Sequence, residues 1–570
     1  MRGHFWKSLY TYHMRNSATD RYLGMYVLAA AVTVSLFVSP WNSLDPVNLP
    51  KLFLLSILGF IAGGFAISRV DFLFAKKNRL LIGLLFLFVF QLILVIALDE
   101  RTFAFKFYGT SARNTGGLAY LALSLLLLGS AVSASQVLMR RYSIALVLAG
   151  FIAAIYGLFQ WRGIDFYEFD NAFATNVFGP FGNPNFQSAF MGISATVAMT
   201  WLIFSRVKPL FKLALGLFVL IALFNISKSS EQGYLTLAAG FAASLIVYLF
   251  ATGKKVYGVG VLLLAVIGGL LVFLGIFNKG PIADLIYKSS LQARGFYWQA
   301  ALKMMAGHPF AGVGMDGFGD WYLRSRTQEI ADFNAGISAD TAHNIPLDIG
   351  SGGGVPLLLI YLALILLTLV SIIRVVKRSN GFDLIFTSIV GAWVAYQAQS
   401  LISINQLGLG VWGWTLTGLI IGFELNTRDK VDQATSGTSQ KVKGKTEQIS
   451  ALAVVATFLF GGIGIAAAVP PYSAAGKFYK ALQSGDAEVI QPAAYLKPYD
   501  RTRFFYVARI LIDNKLDERA LSVLRDATKI YPDSFALWQI WASVPTAPAN
   551  EIAKAKAEMK RLDPFNPEWK

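Results

Sequence analysis

The chain has 570 residues, 55% of them hydrophobic and only 15% charged, with a mean hydropathy of +0.53; that little charge cannot cover the several soluble domains this length would otherwise build. There is no cysteine and there are four histidines, His4, His13, His308 and His343, which excludes disulfides and thiolate chemistry and argues against a multi-histidine metal centre. The net charge of +17 raises nucleic acid as a partner, and the placement of the cations argues against it.

After a basic segment at 1–21, apolar stretches long enough for a hydrocarbon core of about 30 Å predict thirteen membrane helices. They fall at 22–39, 52–68, 80–98, 117–138, 143–160, 186–205, 210–226, 233–251, 257–277, 355–373, 384–401, 408–424 and 449–470. Alternate connections carry the cations: Arg2, Lys7, Arg15 and Arg21, then Arg69, Lys76, Lys77 and Arg79, then Arg140 and Arg141. The series goes on through Arg206, Lys208 and Lys212, Lys254 and Lys255, Arg374, Lys377 and Arg378, to Arg428 and Lys430. Positive charge concentrates on the cytoplasmic side of membrane proteins, so the excess is a topology signal. It places the N-terminus in the cytoplasm and, after an odd number of spans, the C-terminus outside.

This predicts an all-α polytopic membrane protein with a membrane domain at 22–425 and a polar cytoplasmic linker at 426–448. A last transmembrane helix at 449–470 leads to a small extracytoplasmic helical domain at 471–570. That tail is charged and alanine-rich, with stops at Pro498, Pro532 and Pro564 spaced by 34 and 32 residues. Ala520, Leu521, Leu524 and Ala527 fit the second helix of a tetratricopeptide-like hairpin, whose period is about 34 residues; a generic helical bundle is the alternative. Such repeats bind peptides or partner proteins.

The spans hold few ionisable residues, which argues against ion-coupled transport. Polar groups gather instead on the outer side, above all in the connection 278–353, too long for a plain linker. Residues 293–307 read as an amphipathic helix bearing Arg294 and Trp298, and Gly312, Gly314 and Gly317 then make a tight turn. Arg294 either grips a phosphate through its planar fork or faces lipid headgroups. His343 is a candidate general base or phosphate ligand, with structural packing as the alternative, and Asn344 beside it is a natural positioning amide. Upstream, Gly179–Phe186 (GPFGNPNF) carries Asn183 and Asn185, whose default use is to cap the following helix. Arg113, in 108–117, is a further outer-side cation.

The pattern Arg294-x-x-Tyr297-Trp298, Ala300, Met304, His308-Pro309, Gly312-x-Gly314 and Phe318, followed by His343-Asn344 and a glycine-rich entry into a span, resembles the O-antigen ligase/polymerase superfamily. Arg113-Asn114-x-Gly116-Gly117 and GPFGNPNF resemble its upstream motifs, so the likeness covers roughly 20–425. The resemblance implies a bacterial cytoplasmic (inner) membrane enzyme of the cell envelope. It would move a glycan from an undecaprenyl-diphosphate carrier to an acceptor hydroxyl on a glycan, lipid or protein, with inversion and with no metal or other cofactor. Arg294 would bind the diphosphate and His343 would deprotonate or orient the acceptor. Tyr297, Trp298, Asn183, Asn185 and Asn344 are further candidate contacts to diphosphate or glycan. One departure stands out: the chain reads Ser227-Lys228-Ser229-Ser230-Glu231-Gln232-Gly233, with Gln232 where many ligases carry a second diphosphate-binding arginine, a role left to Lys228 or Arg113. A protein O-oligosaccharyltransferase is the nearest alternative. A polysaccharide or lipid-carrier exporter and a non-catalytic scaffold, with a protein partner held by the tail, are alternatives of another class.

Overall fold

The structure, a computed structural model, describes residues 18–39, 44–167, 176–286, 289–333, 336, 338–379, 381–436 and 450–569. The N-terminal cations Arg2, Lys7 and Arg15 and most of the polar linker lie outside the described residues. Among the described residues there is no strand.

Every predicted apolar stretch forms a helix. In chain order these are α1 (Ala18–Leu36), α2 (Asn48–Ile67), α3 (Arg79–Leu98), α4 (Gly117–Ser133), α5 (Gln136–Trp161), α6 (Pro184–Phe204), α7 (Pro209–Ser229), α8 (Gln232–Ala251) and α9 (Lys255–Ile276). The long connection then supplies α10 (Ser289–Gly307) and α11 (Phe318–Ser325), and the bundle resumes with α12 (Ile345–Arg378), α13 (Leu384–Ser400), α14 (Leu407–Ser436) and α15 (Ala451–Ser484). Ten of the described helices are long and apolar enough to cross a bilayer, and α4 is apolar but shorter. The chain is a multi-pass membrane protein.

Close approach of small residues sets the packing, since lipid offers no hydrophobic drive between helices. A Cβ at Gly418 of α14 would sit 2.1 Å from the Leu127 carbonyl of α4, and one at Gly64 of α2 would sit 2.5 Å from the Ala456 carbonyl of α15. The first part of α14 is buried on all sides, while Leu264 on α9 and Phe86 on α3 stay exposed, as lipid-facing residues should. One charge inside the bundle does structural duty. Lys51 is fully buried and donates to the carbonyls of Ser35 at 3.0 Å and Phe37 at 2.6 Å, closing the end of α1.

Two boundaries differ from expectation. Helix α12 starts at Ile345, ten residues before the predicted span, and breaks at Gly354 (φ 78°, ψ 172°). Helix α15 continues through Pro470-Pro471 to Ser484. Prolines remove two backbone donors there, and packing on both sides holds the axis: Tyr472 stacks on Phe53 at 4.7 Å, and Phe478 enters the core of the tail. That core includes Phe504, Leu511, Leu524, Trp538 and Trp541. It joins α16 (Ala487–Ala493), α17 (Arg501–Asp513), α18 (Asp517–Ile530), α19 (Phe535–Ala542) and α20 (Ala549–Leu562), with α17 packed on α18 and α19 on α20.

Candidate active site

One end of the bundle gathers the described residues of the connections 99–116, 277–344 and 401–406 and the start of the tail. There α10 turns back at His308, and the turn docks on the break in α12: Val313 N donates to Ser351 O at 2.7 Å and Val355 N to Pro309 O at 2.8 Å. Gln91 of α3 clamps the junction, its amide donating to Phe310 O at 2.7 Å and Gly353 O at 3.3 Å. This explains Gly312-x-Gly314. Both residues have positive φ, and a Cβ would lie 2.3 Å from Ser351 O or 2.1 Å from the Arg101 guanidinium. Arg101 is itself held by Asp99 and donates to Met315 O at 3.0 Å.

A buried carboxylate ties the upstream motif to this turn. Asp316 accepts from the Thr110 and Thr115 amides at 2.9 and 3.1 Å and from the Thr115 hydroxyl. Burial pushes its carboxyl above the ordinary range, and those donors oppose the rise. Arg113, in the same loop, makes a two-pronged pair with Asp340, Nε to Oδ2 at 2.7 Å and Nη2 to Oδ1 at 3.1 Å. Burial alone would raise the Asp340 carboxyl, but the Arg113 guanidinium holds it below the usual range.

His343 lies three residues on, in left-handed backbone (φ 52°) that few non-glycine residues adopt. Its Nδ1 is 3.2 Å from the Thr341 hydroxyl, and no described residue bonds its Nε2. Its ring centre is 5.3 Å from that of Tyr297, one turn along α10 from Arg294. Burial, then the positive charges of Arg294 and Arg113, pull the imidazole down to about 4, with Asp340 opposing. The ring is therefore neutral at pH 7. Arg294 is buried, 8% exposed, and among the described residues it makes no ion pair. Burial draws its guanidinium down to about 10, so it stays charged at neutral pH. Trp298 packs with Ile276 and Ile402 and against Phe273 and Phe277.

The fold thus brings Arg294, Tyr297, His343 and Arg113 together. Asn344 is beside them with its amide committed: Oδ1 accepts from Leu347 N at 3.0 Å, capping α12, and Nδ2 donates to Leu401 O at 2.8 Å. Gln232, at the start of α8, is buried with neither end of its carboxamide bonded to a described residue, one turn from Leu235, which packs in the Trp298 cluster. Lys228 is exposed, its ammonium over the Phe224 ring at 5.7 Å, and no described contact ties it to His343. Asn183 caps α6 by accepting from Asn185 N at 2.9 Å, and Phe181 of the same motif packs under Lys51. No described contact joins this motif to Arg294.

Sequence reasoning missed Asp340 as the partner of Arg113, and the structural roles of Asp316 and Asp348; the Asp340-Thr341-Ala342-His343 run was the available signal for the first carboxylate. Asp348 accepts from Ala342 N at 2.6 Å and braces the histidine loop. Between Arg113, Asp316, Asp340 and Asn405 lies a void of about 20 Å³, room for a water and no more. The arrangement offers a charged guanidinium without a counter-ion among the described residues and, beside it, a half-buried neutral imidazole with an open nitrogen.

No curated protein matches the chain. Residues 215–362, which hold Gln232, Arg294 and His343, match the family model described as O-Antigen ligase, which supports the O-antigen ligase superfamily and, at the level of class, a membrane glycan ligase or polymerase.

Proposed function

We propose that the chain transfers a glycan from an undecaprenyl-diphosphate carrier to an acceptor hydroxyl, at the end of the bundle that carries His343. The observation behind this is the buried, unpaired Arg294 beside an imidazole with a free Nε2. In this reading His343 takes the proton of the acceptor hydroxyl. The acceptor oxygen attacks the anomeric carbon as its bond to the diphosphate breaks, inverting the centre. Arg294 holds the negative charge growing on the departing diphosphate, a charge that a guanidinium can meet without a metal. The anion would also offset the cationic field that depresses His343, making it a stronger base when substrate is bound.

The site end faces away from the cytoplasm on this reading, because Arg69, Lys76, Arg206, Lys254 and Lys377 cluster at the other end. A bacterial inner membrane then presents the carrier lipid laterally. The domain at 22–425 does the chemistry, and the tail at 471–570, read as a tetratricopeptide-like repeat, lies on the same outer side. The test is incubation of purified protein with carrier-linked glycan and separate glycan, lipid and protein acceptors, following which acceptor gains mass. Transfer that survives both Arg294→Ala and His343→Ala would discard the enzymatic reading in favour of a scaffold; transfer to protein alone would make the chain a protein O-oligosaccharyltransferase.

A further inference from the structure

The loop 109–116 is a wall with two faces. Arg113 and Thr115 turn toward the His343 side, through Asp340 and Asp316. Gly109 to Ala112 and Asn114 line a second and much larger cavity, of about 170 Å³, between the bundle end and the tail. Its opposite wall is Tyr499, Asp500, Arg503 and Tyr506 of the tail, and its floor is Pro471 and Phe478 of α15 with Asp45 before α2.

The chemistry of this lining is specific. Tyr108, Tyr499 and Tyr506 present flat apolar rings with polar tips. Asn114 presents an acceptor; Asp45 already accepts from the Val47 and Asn48 amides and Asp500 from the Ser111 hydroxyl and the Thr502 amide, while Arg503 already donates to Leu496 O at 2.8 Å. A hydrocarbon guest would lie against two carboxylates and a guanidinium and offer none of them a further hydrogen bond, which disfavours it. A phosphate would meet two carboxylates. A sugar ring meets neither objection, since its C–H face suits tyrosine rings and its hydroxyls donate to carboxylates and amides. Asn114 supplies the independent sign. It is 5% exposed, sits in left-handed backbone (φ 56°), and its Oδ1 is buried with no partner among the described residues. Buried acceptors are almost always satisfied, so this oxygen is held ready for a donor that arrives with a ligand.

We infer that this cavity is a saccharide subsite, holding one sugar ring of a glycan that runs past Arg113 to the reacting centre. This rests on the glycosyl-transfer reading and adds a place where the sugar is recognised apart from the diphosphate. The ring belongs either to the donor glycan or to the acceptor glycan, and the kinetics separate these sources.

The experiment uses the full chain in detergent and, as probe, the glycan released by mild acid from the lipid carrier of the source cells. Saturation-transfer NMR should detect this carrier-free glycan on the wild type and on Arg294→Ala, and lose it on Asn114→Gly, which tolerates the left-handed backbone, and on Tyr506→Ala. Tyr506 is 42% exposed, so its loss leaves the fold intact. In transfer assays both subsite variants should raise the KM of one substrate about tenfold with kcat within about twofold; a donor effect names the donor glycan, an acceptor effect the acceptor glycan. Absence of probe binding to the wild type, or equal binding to Tyr506→Ala and Asn114→Gly with unchanged KM values, would overturn the subsite. Loss of the enzymatic reading would show instead as unaltered transfer by Arg294→Ala.

Discussion

Arg294 and Arg326 lie on the same connection, both deeply buried, and they are held in opposite ways. Arg326 directs Nη2 at both oxygens of Asp563, at 2.9 and 2.8 Å, across 237 residues of sequence, and neither side chain sees solvent. Arg294 has no such partner among the described residues. A buried ion pair holds geometry: here it fastens the tail to the connection, with help from Arg501 on Asp320, from Ser111 donating to Asp500 at 2.5 Å and from Gln328 donating to Phe565 O at 3.0 Å. A buried charge without a partner costs stability. In a site built for an anion that cost is what binding relieves, so the two arginines should respond differently to the same truncation.

The sharpest way to break this contrast is Arg294→Ala. Transfer should fall by at least about 10²–10³-fold, the usual loss for a donor to developing negative charge, while the melting temperature of the purified protein stays level or rises. A fall in melting temperature with partial activity would make Arg294 a structural residue like Arg326. His343→Ala should cost about 10²–10⁴-fold in turnover and leave binding of carrier-linked glycan measurable by fluorescence. The pH profile carries a sign. A histidine drawn from its ordinary value of about 6.5 to about 4 stays neutral in the folded protein while the unfolded chain takes up a proton. Its contribution to stability is whole above about pH 6.5 and is lost as pH falls toward 4. The acid limb of kcat/KM should likewise lie well below pH 6.5, and a limb at 6.5 or above would contradict the burial and cationic field described.

Arg326→Ala should act through folding. Leaving Asp563 charged and buried costs about 3–5 kcal/mol, enough to release the tail. Limited proteolysis should then cut between 484 and 501 in the variant and spare the wild type. Replacing both partners together, Arg326→Met with Asp563→Leu, should restore protection, because the pair supplies geometry more than net energy. Persistent cleavage in the double variant would show that the charges themselves are needed at this interface.

The bundle was legible in the sequence because a bilayer demands apolar runs of fixed length, and every predicted run became a helix. The break at Gly354 was not, since a helix is interrupted there by the docking of residues 309–313, a contact that local periodicity cannot express. Nor was the passage of α15 through two prolines, which depends on Tyr472 meeting Phe53. In the site, Arg294 and His343 could be singled out one by one from residue type and position, and Tyr297 only through the resemblance. The pairing of Arg113 with Asp340 spans 227 residues, so the run from Asp340 to His343 could flag the carboxylate but not its partner. In GPFGNPNF the default reading holds for Asn183, which caps a helix, while the packing of Phe181 beneath Lys51 had no sign in the sequence.

That pairing allows the finest comparison, between a guanidinium already engaged and one left open. Asp340→Asn keeps the shape of the partner and removes its charge, and two consequences follow. Asp340 supports protonation of His343 while Arg113 and Arg294 oppose it, so the imidazole should move further down; NMR titration of ring-labelled histidine should show the resonance of His343 shifted to lower pH. Arg113 would also exchange a carboxylate for a neutral amide, and it becomes available to the diphosphate. The KM for carrier-linked glycan should then drop by about threefold to tenfold, with kcat little changed because Arg294 still receives the leaving group. A higher KM in this variant would mean that the Arg113–Asp340 pair positions the loop and that Arg113 never touches substrate. The diphosphate would then rest on Arg294 alone, and the open carboxamide of Gln232 would be the next group to test.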